Sequence, residues 1–187
     1  MIKKYLTIIT IIFSVMIVGT VVAIFERLYP VAIVNGSPIW YRTWDRYLQG
    51  TGHAFALQAR VTGKQFDLDA TVISVIKKDT LTALIEDRLL TQQGRIVFAQ
   101  FDKRSDEHVF DAVGTSTNMG DAAKLLYGFS EADFHDFILL PASRREVAKE
   151  SMDKQKIDFV TWLAGVKKRA HVQLLLNGYI WDGESVK

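Results

Sequence analysis

Residues 69–94, DATVISVIKKDTLTALIEDRLLTQQG, are the stretch on which the fold turns. Ile73, Ile76, Leu81, Leu84, Ile85 and Leu89 recur at helical spacing, while Lys77, Lys78, Glu86, Asp87 and Arg88 fall mostly outside that stripe. An apolar stripe of this period is the side of a helix that lies on a core. Asp67 or Asp69 stands where a side chain can cap the start, accepting from backbone N–H groups that have no partner inside the helix. Gly94, a residue that can accept the left-handed conformation that ends helices, marks the expected stop.

Outward from this helix the pattern stays helical. Ser105 is placed to cap a shorter helix carrying Val109, Phe110 and Val113, and the polar run from Gly114 to Gly120 reads as a loop. A short helix from about Asp121 to Tyr127 closes at Gly128. Ser130-Glu131-Ala132-Asp133 resembles a capping box and opens a helix holding Phe134, Phe137 and Ile138. Pro141 lacks a backbone donor, so a kink or break is expected there. A last helix carries Ile157, Val160, Leu163, Ala164 and Val166 and ends in Lys167-Lys168-Arg169, where positive charge complements the helix dipole. His171 to Leu176 reads as a strand.

Toward the N-terminus, Val31-Ala32-Ile33-Val34 is a β-branched run stopped by the turn residues Asn35-Gly36. Near Ser37 to Ile39 the chain is expected to enter a helix. Trp40, Trp44 and Tyr47 recur there at helical spacing, and Gly50 and Gly52 are expected to break or loosen it. The expected body is therefore mostly α, with a small two-stranded sheet joining the first and last strands.

Ahead of this body, Lys3 and Lys4 precede an uncharged run from Tyr5 to Phe25. As a helix those residues reach about 32 Å, enough to cross a hydrocarbon core of roughly 30 Å. Val21-Val22-Ala23 is a poor match to a signal-peptide cleavage site, which favours an uncleaved anchor over a removed leader. Positive charge on the leading flank places the N-terminus in the cytoplasm. The expected organisation is a tail and single-pass anchor over residues 1–28 and one extracytoplasmic helical domain over residues 29–187.

Lys3 and Lys4 account for the whole formal net charge of +2, so the remaining chain is neutral overall. A nucleic-acid partner, which normally selects a basic excess, is not expected. Charge is nevertheless uneven: residues 101–136 hold eight acidic and three basic side chains, and residues 142–169 hold eight basic and four acidic. Two solvated faces that attract each other across the fold are the expected result. With no cysteine, disulfides and thiolate metal sites are excluded.

Little in the sequence points to a reaction. His53, His108, His135 and His171 are widely spaced and form no pair at metal-ligand spacing. Serine occurs in no G-x-S-x-G elbow, and no phosphate-binding glycine loop is present. No catalytic residue, metal or cofactor is expected. The aromatics are the one positive hint. Trp40, Trp44, Tyr47, Phe55, Phe129, Phe134 and Phe137 supply large apolar faces that either fill the core or line an exposed groove for unfolded segments.

Four segments, in order, resemble the SurA-type N-terminal chaperone domain, the family that SurA, PrsA and PpiD share. Val31–Gly36 with Pro38-Ile39 is similar to its opening strand and turn, and residues 84–93, LIEDRLLTQQ, to its central helix. Tyr127–Phe134 resembles the later glycine–x–serine–x–x–x–phenylalanine start of a helix. Trp162-Leu163, Lys167-Lys168, Ala170 and Val172 resemble the closing helix-to-strand segment. The resemblance implies a client-holding helical domain in which the first and last strands pair, with unfolded or exported polypeptides as partners. The parvulin isomerase domain that accompanies it in those proteins finds no room in the 187 residues, so the expected role is non-catalytic. A structural subunit docking one envelope protein is the alternative.

Overall fold

The computed structural model describes residue 13 and residues 28–63, 69–114 and 118–187. The expected membrane segment, residues 5–25, lies outside the described residues but for Phe13. Among the described residues no helix is long and apolar enough to cross a membrane.

The body opens with a hairpin. Strand β1 (Pro30–Val34) turns at Asn35 and Gly36, both at positive φ (48° and 81°), and returns as β2 (Ser37–Trp40). Two successive positive φ values make the two-residue turn whose twist matches that of the flanking strands, and Asn-Gly is its preferred sequence. This corrects the expectation of a helix beginning near Ser37. Strand β3 (Val172–Leu174) pairs antiparallel with the other edge of β1, Ala32 opposite Leu174 and Val34 opposite Val172. The first and last strands do pair, but the sheet has three strands in the order β2-β1-β3 rather than two. Pro38 fits because β2 is an edge strand, where one missing donor is tolerated.

Helix α1 (Tyr41–Val61) runs unbroken through Gly50 and Gly52. Gly50 is a slot instead of a breaker: a Cβ there would lie 1.9 Å from Cζ of Phe129, whose ring fills the space. Helix α2 (Ala70–Val97) is capped by Asp69, whose side chain accepts from the Val72 N–H at 2.8 Å. It passes Gly94, where a Cβ would meet the Phe101 ring at 2.5 Å, and ends at Phe98. Both glycines are therefore set by close ring approach and not by helix termination.

Helix α3 (Phe101–Val113) begins four residues before the expected cap. Ser105 lies buried inside it, donating to the Phe101 carbonyl. After α4 (Met119–Tyr127), Gly128 closes the helix at φ 65° as expected, and Ser130 and Asp133 form the full capping box that starts α5 (Glu131–Phe134). A π-helical turn, His135–Leu139, leads into α6 (Leu140–Lys154), and α7 (Phe159–Arg169) follows, capped by Asp158.

Two packed centres hold these elements. In the first, Val31 and Val34 of β1 meet Leu81, Ile85 and Leu89 of α2, all fully buried, and Val186 returns from the C-terminal tail to join them. In the second, Phe98 and Phe101 pack with Val147, Ala148 and Met152 of α6 and with Phe159 and Leu163 of α7. Ile73, Phe110 and Val160, read as apolar helix faces, are exposed at 38%, 70% and 71%, because none of the described elements covers those sides. Asn35 locks the sheet to α2: its Oδ1 accepts from the His171 N–H, and its Nδ2 donates to Gln92 Oε1, each at 2.9 Å.

Among the described residues the two charge blocks pair mostly with other parts of the chain. The bridge that does join them, Arg104 to Glu150, sets a base of the acidic stretch against an acid of the basic one. Arg144, Arg145 and Lys167 of the basic stretch pair with Glu86 and Asp87 of α2. Asp102 and Asp133 of the acidic stretch pair with Arg95 and Arg46.

Candidate peptide-binding cleft

An open cleft of about 740 Å³ lies where the start of α1, the middle of α2 and the π turn with the first residues of α6 meet. Its position follows from Pro141. Proline has no N–H to offer the carbonyl one turn back. The turn ahead of it is wound wide, with the Leu140 N–H reaching five residues back to the His135 carbonyl. The chain is not broken at Pro141; the turn before it swells, and Phe137 and Ile138 on the swollen turn line the cleft. Such single π turns occur frequently at functional sites.

The aromatic wall is layered. Tyr47 stacks on Phe137 with centroids 5.6 Å apart, and Phe129 stands behind Phe137 at the same distance. Burial, with the nearby Tyr127 and Asp87 adding to it, pushes the Tyr47 hydroxyl above the ordinary tyrosine range, so it stays neutral. Trp40 stands on the rim, 43% exposed. Leu84, Leu140 and Pro141 are among the aliphatic residues that add to the apolar lining.

The opposite wall is charged and cross-braced. One guanidinium nitrogen of Arg144 donates to both carboxylate oxygens of Asp87, at 2.9 and 3.1 Å. Glu86 bridges two cations, Lys167 at 2.6 Å and Arg145 at 2.8 Å. Burial raises the Asp87 carboxyl above the usual carboxylate range, outweighing the pull of Arg144. At the foot of the π turn Asp133 moves the other way. Slight burial works against it, but hydrogen bonds from Arg46 and Ser130 hold it below the usual range.

Of the seven aromatics singled out, Trp40, Tyr47 and Phe137 line the cleft. Trp44 does not: it is 5% exposed on the sheet side of α1, and its Nε1 donates to Thr80 Oγ1 at 3.1 Å. Phe129 is buried on Gly50, and Phe134 is half-buried against Tyr127; both back the wall without reaching the opening. Phe55 lies on the second half of α1, away from the cleft. The charged wall escaped sequence reading because Asp87 and Arg144 are 57 residues apart, a separation no local pattern records. Pro141 followed closely by two arginines was the one available signal.

Among the described residues no group of three His, Asp or Glu side chains is placed to hold a metal ion. His53 faces the Leu125 carbonyl and His135 faces Asp136. Compared with family models, curated proteins and solved structures, the chain finds no match.

Proposed function

We propose that this chain is a membrane-anchored, extracytoplasmic holding domain that binds unfolded or exported polypeptides in the cleft without catalysing a reaction on them. Residues 5–25 form the single-pass anchor in this reading, with the N-terminus in the cytoplasm. The observation that carries it is the open cleft itself: Trp40, Tyr47 and Phe137 present aromatic area beside Leu84 and Pro141. Large apolar faces in an open groove hold extended segments without strict sequence demands. Glu86, Asp87, Arg144, Arg145 and Lys167 are committed to one another in ion pairs, which suits retention of apolar chain more than attack on it. The ordered likeness to the SurA-type domain supports the same reading, and strands β1 and β3 pair as that likeness implies.

The test is suppression of aggregation. Full-length chain in lipid nanodiscs, at several-fold molar excess over a chemically unfolded client, is expected to lower light scattering relative to empty nanodiscs. Trp40→Ala combined with Phe137→Ala is expected to remove most of that effect. A folded protein that leaves scattering unchanged defeats the proposal. Crosslinking in membranes separates it from the assembly-subunit alternative, which predicts one dominant stoichiometric product where client holding predicts many.

A further inference from the structure

The charged wall has one cation more than its own carboxylates use. Both oxygens of Glu86 are taken, Oε1 by Lys167 and Oε2 by Arg145. Both oxygens of Asp87 are taken by Arg144. Arg88, the next residue, is exposed and lines the same cleft, and it makes no hydrogen bond or ion pair among the described residues. Across the opening the lining carries one acid, Asp136, whose Oδ1 lies 2.9 Å from His135 Nδ1. A guanidinium presents paired N–H donors in a fixed fork that fits a carboxylate, and a charge-assisted contact of this kind is stronger than a neutral one.

We propose that the cleft selects polypeptide segments whose apolar residues are flanked by an acidic side chain, with Arg88 receiving the carboxylate. This deepens, and rests on, the client-holding reading. The apolar part of the segment lies against Trp40, Tyr47 and Phe137, and the acidic flank reaches the α2 wall. A segment with lysine at that flank meets Arg88 with like charge and finds Glu86 and Asp87 already engaged, which leaves it Asp136 across the opening, already faced by His135.

Two fluorescent twelve-residue peptides with one apolar centre, flanked by glutamates in one and lysines in the other, test this by anisotropy. The protein is the full-length chain in phosphatidylcholine nanodiscs, with empty nanodiscs as the blank. The glutamate-flanked peptide is expected to bind about tenfold more tightly at low salt. That gap should narrow toward parity at about 1 M salt, where screening reaches roughly 3 Å. Arg88→Gln is expected to shrink the preference to about threefold or less while barely moving the urea midpoint, because Arg88 makes no ion pair among the described residues and acts on Asp87 only through its charge. Equal binding of the two peptides, tighter binding of the lysine peptide, or an undiminished preference in R88Q overturns the inference. Equal binding leaves the client-holding reading standing, whereas failure of both peptides to bind brings down both.

Discussion

The two faces of α2 solve opposite problems within one helical turn. Leu81, Ile85 and Leu89 are fully buried against the sheet, while Asp87 and Arg88 look onto the cleft with Leu84, which also packs at the edge of the core. On the closed face apolar groups meet apolar groups, and a non-directional attraction draws β1 down until no gap remains. On the open face Glu86 and Asp87 hold α6 and α7 through Arg144, Arg145 and Lys167. Ion pairs have a set length and direction, so they act as struts. The far wall of the opening lined by Tyr47, Phe137 and Leu84 is held by these pairs together with the apolar packing of Leu90 among Val147, Ala148 and Leu163.

The largest effect should come from the closed face. Ile85→Ala removes a fully buried side chain and is expected to cost about 3 kcal/mol, read from the urea midpoint. Leu84→Ala, one residue along and half-buried at the edge of the same core, should cost less, about 1.5 kcal/mol, while weakening client binding several-fold. Equal stability losses at the two positions, with binding unaffected by either, would erase the distinction between the faces.

Gly50 sharpens the comparison from behind the cleft. Its absent side chain lets Phe129 sit on α1, and Phe129 in turn backs Phe137. Gly50→Ala is expected to destabilise by roughly 2 kcal/mol, overpacking outweighing the gain in helix propensity. Combining it with Phe129→Ala should cost clearly less than the sum of the two single changes, because the added methyl then enters the space the ring left. Strict additivity would mean that the ring and the glycine are not fitted to each other.

Much of the closed face was legible in the sequence, and the open face was not. The stripe from Ile76 to Leu89, the Asp69 cap and the capping box at Ser130 and Asp133 are local or periodic features, which a linear reading can hold, and the pairing of the end strands was expected from the order of the elements and the family likeness. Asn35-Gly36 was legible as a turn, but whether the chain returns as a strand depends on what packs against Ser37–Trp40. Gly50 and Gly94 were misread as helix breakers because the rings that require them, Phe129 and Phe101, arrive from elsewhere in the chain. The cleft depends on Asp87 meeting Arg144 and on the π turn before Pro141, and tertiary contact decides both.

Trp40 and Trp44 give a smaller and cleaner contrast, since one substitution can be made at both. Trp44→Phe loses the hydrogen bond to Thr80 Oγ1 and leaves that buried hydroxyl fewer partners, so about 1 kcal/mol of stability should go with client binding retained. Trp40→Phe trims an exposed ring on the rim, so stability should hold while affinity falls by about two- to threefold. The reverse assignment, with affinity tracking Trp44, would move the binding surface to the sheet side of α1.

The smallest effect is the most diagnostic of how charge is used around the cleft, because Asp87 and Asp133 depart from the ordinary carboxylate range in opposite directions. Burial raises Asp87, so the folded state holds its proton more firmly than the unfolded chain. Its contribution to stability therefore grows as pH falls from its raised value toward the ordinary one. Asp133 is held low by Arg46 and Ser130 against slight burial, so its contribution is present above the ordinary range and is lost as pH falls through its depressed value. Asp133→Asn should cost roughly 1 kcal/mol or less at pH 7, and the gap from the native chain should close on acidification. For Asp87→Asn the gap should instead widen over the mildly acidic range, because the native carboxyl takes up its proton there and the asparagine does not. Urea midpoints of the three proteins between pH 7 and pH 3 separate the two signs. Parallel curves would show that the struts of the charged wall and the cap of the π turn respond to protons alike, and the picture of Asp87 as a desolvated brace would have to be abandoned.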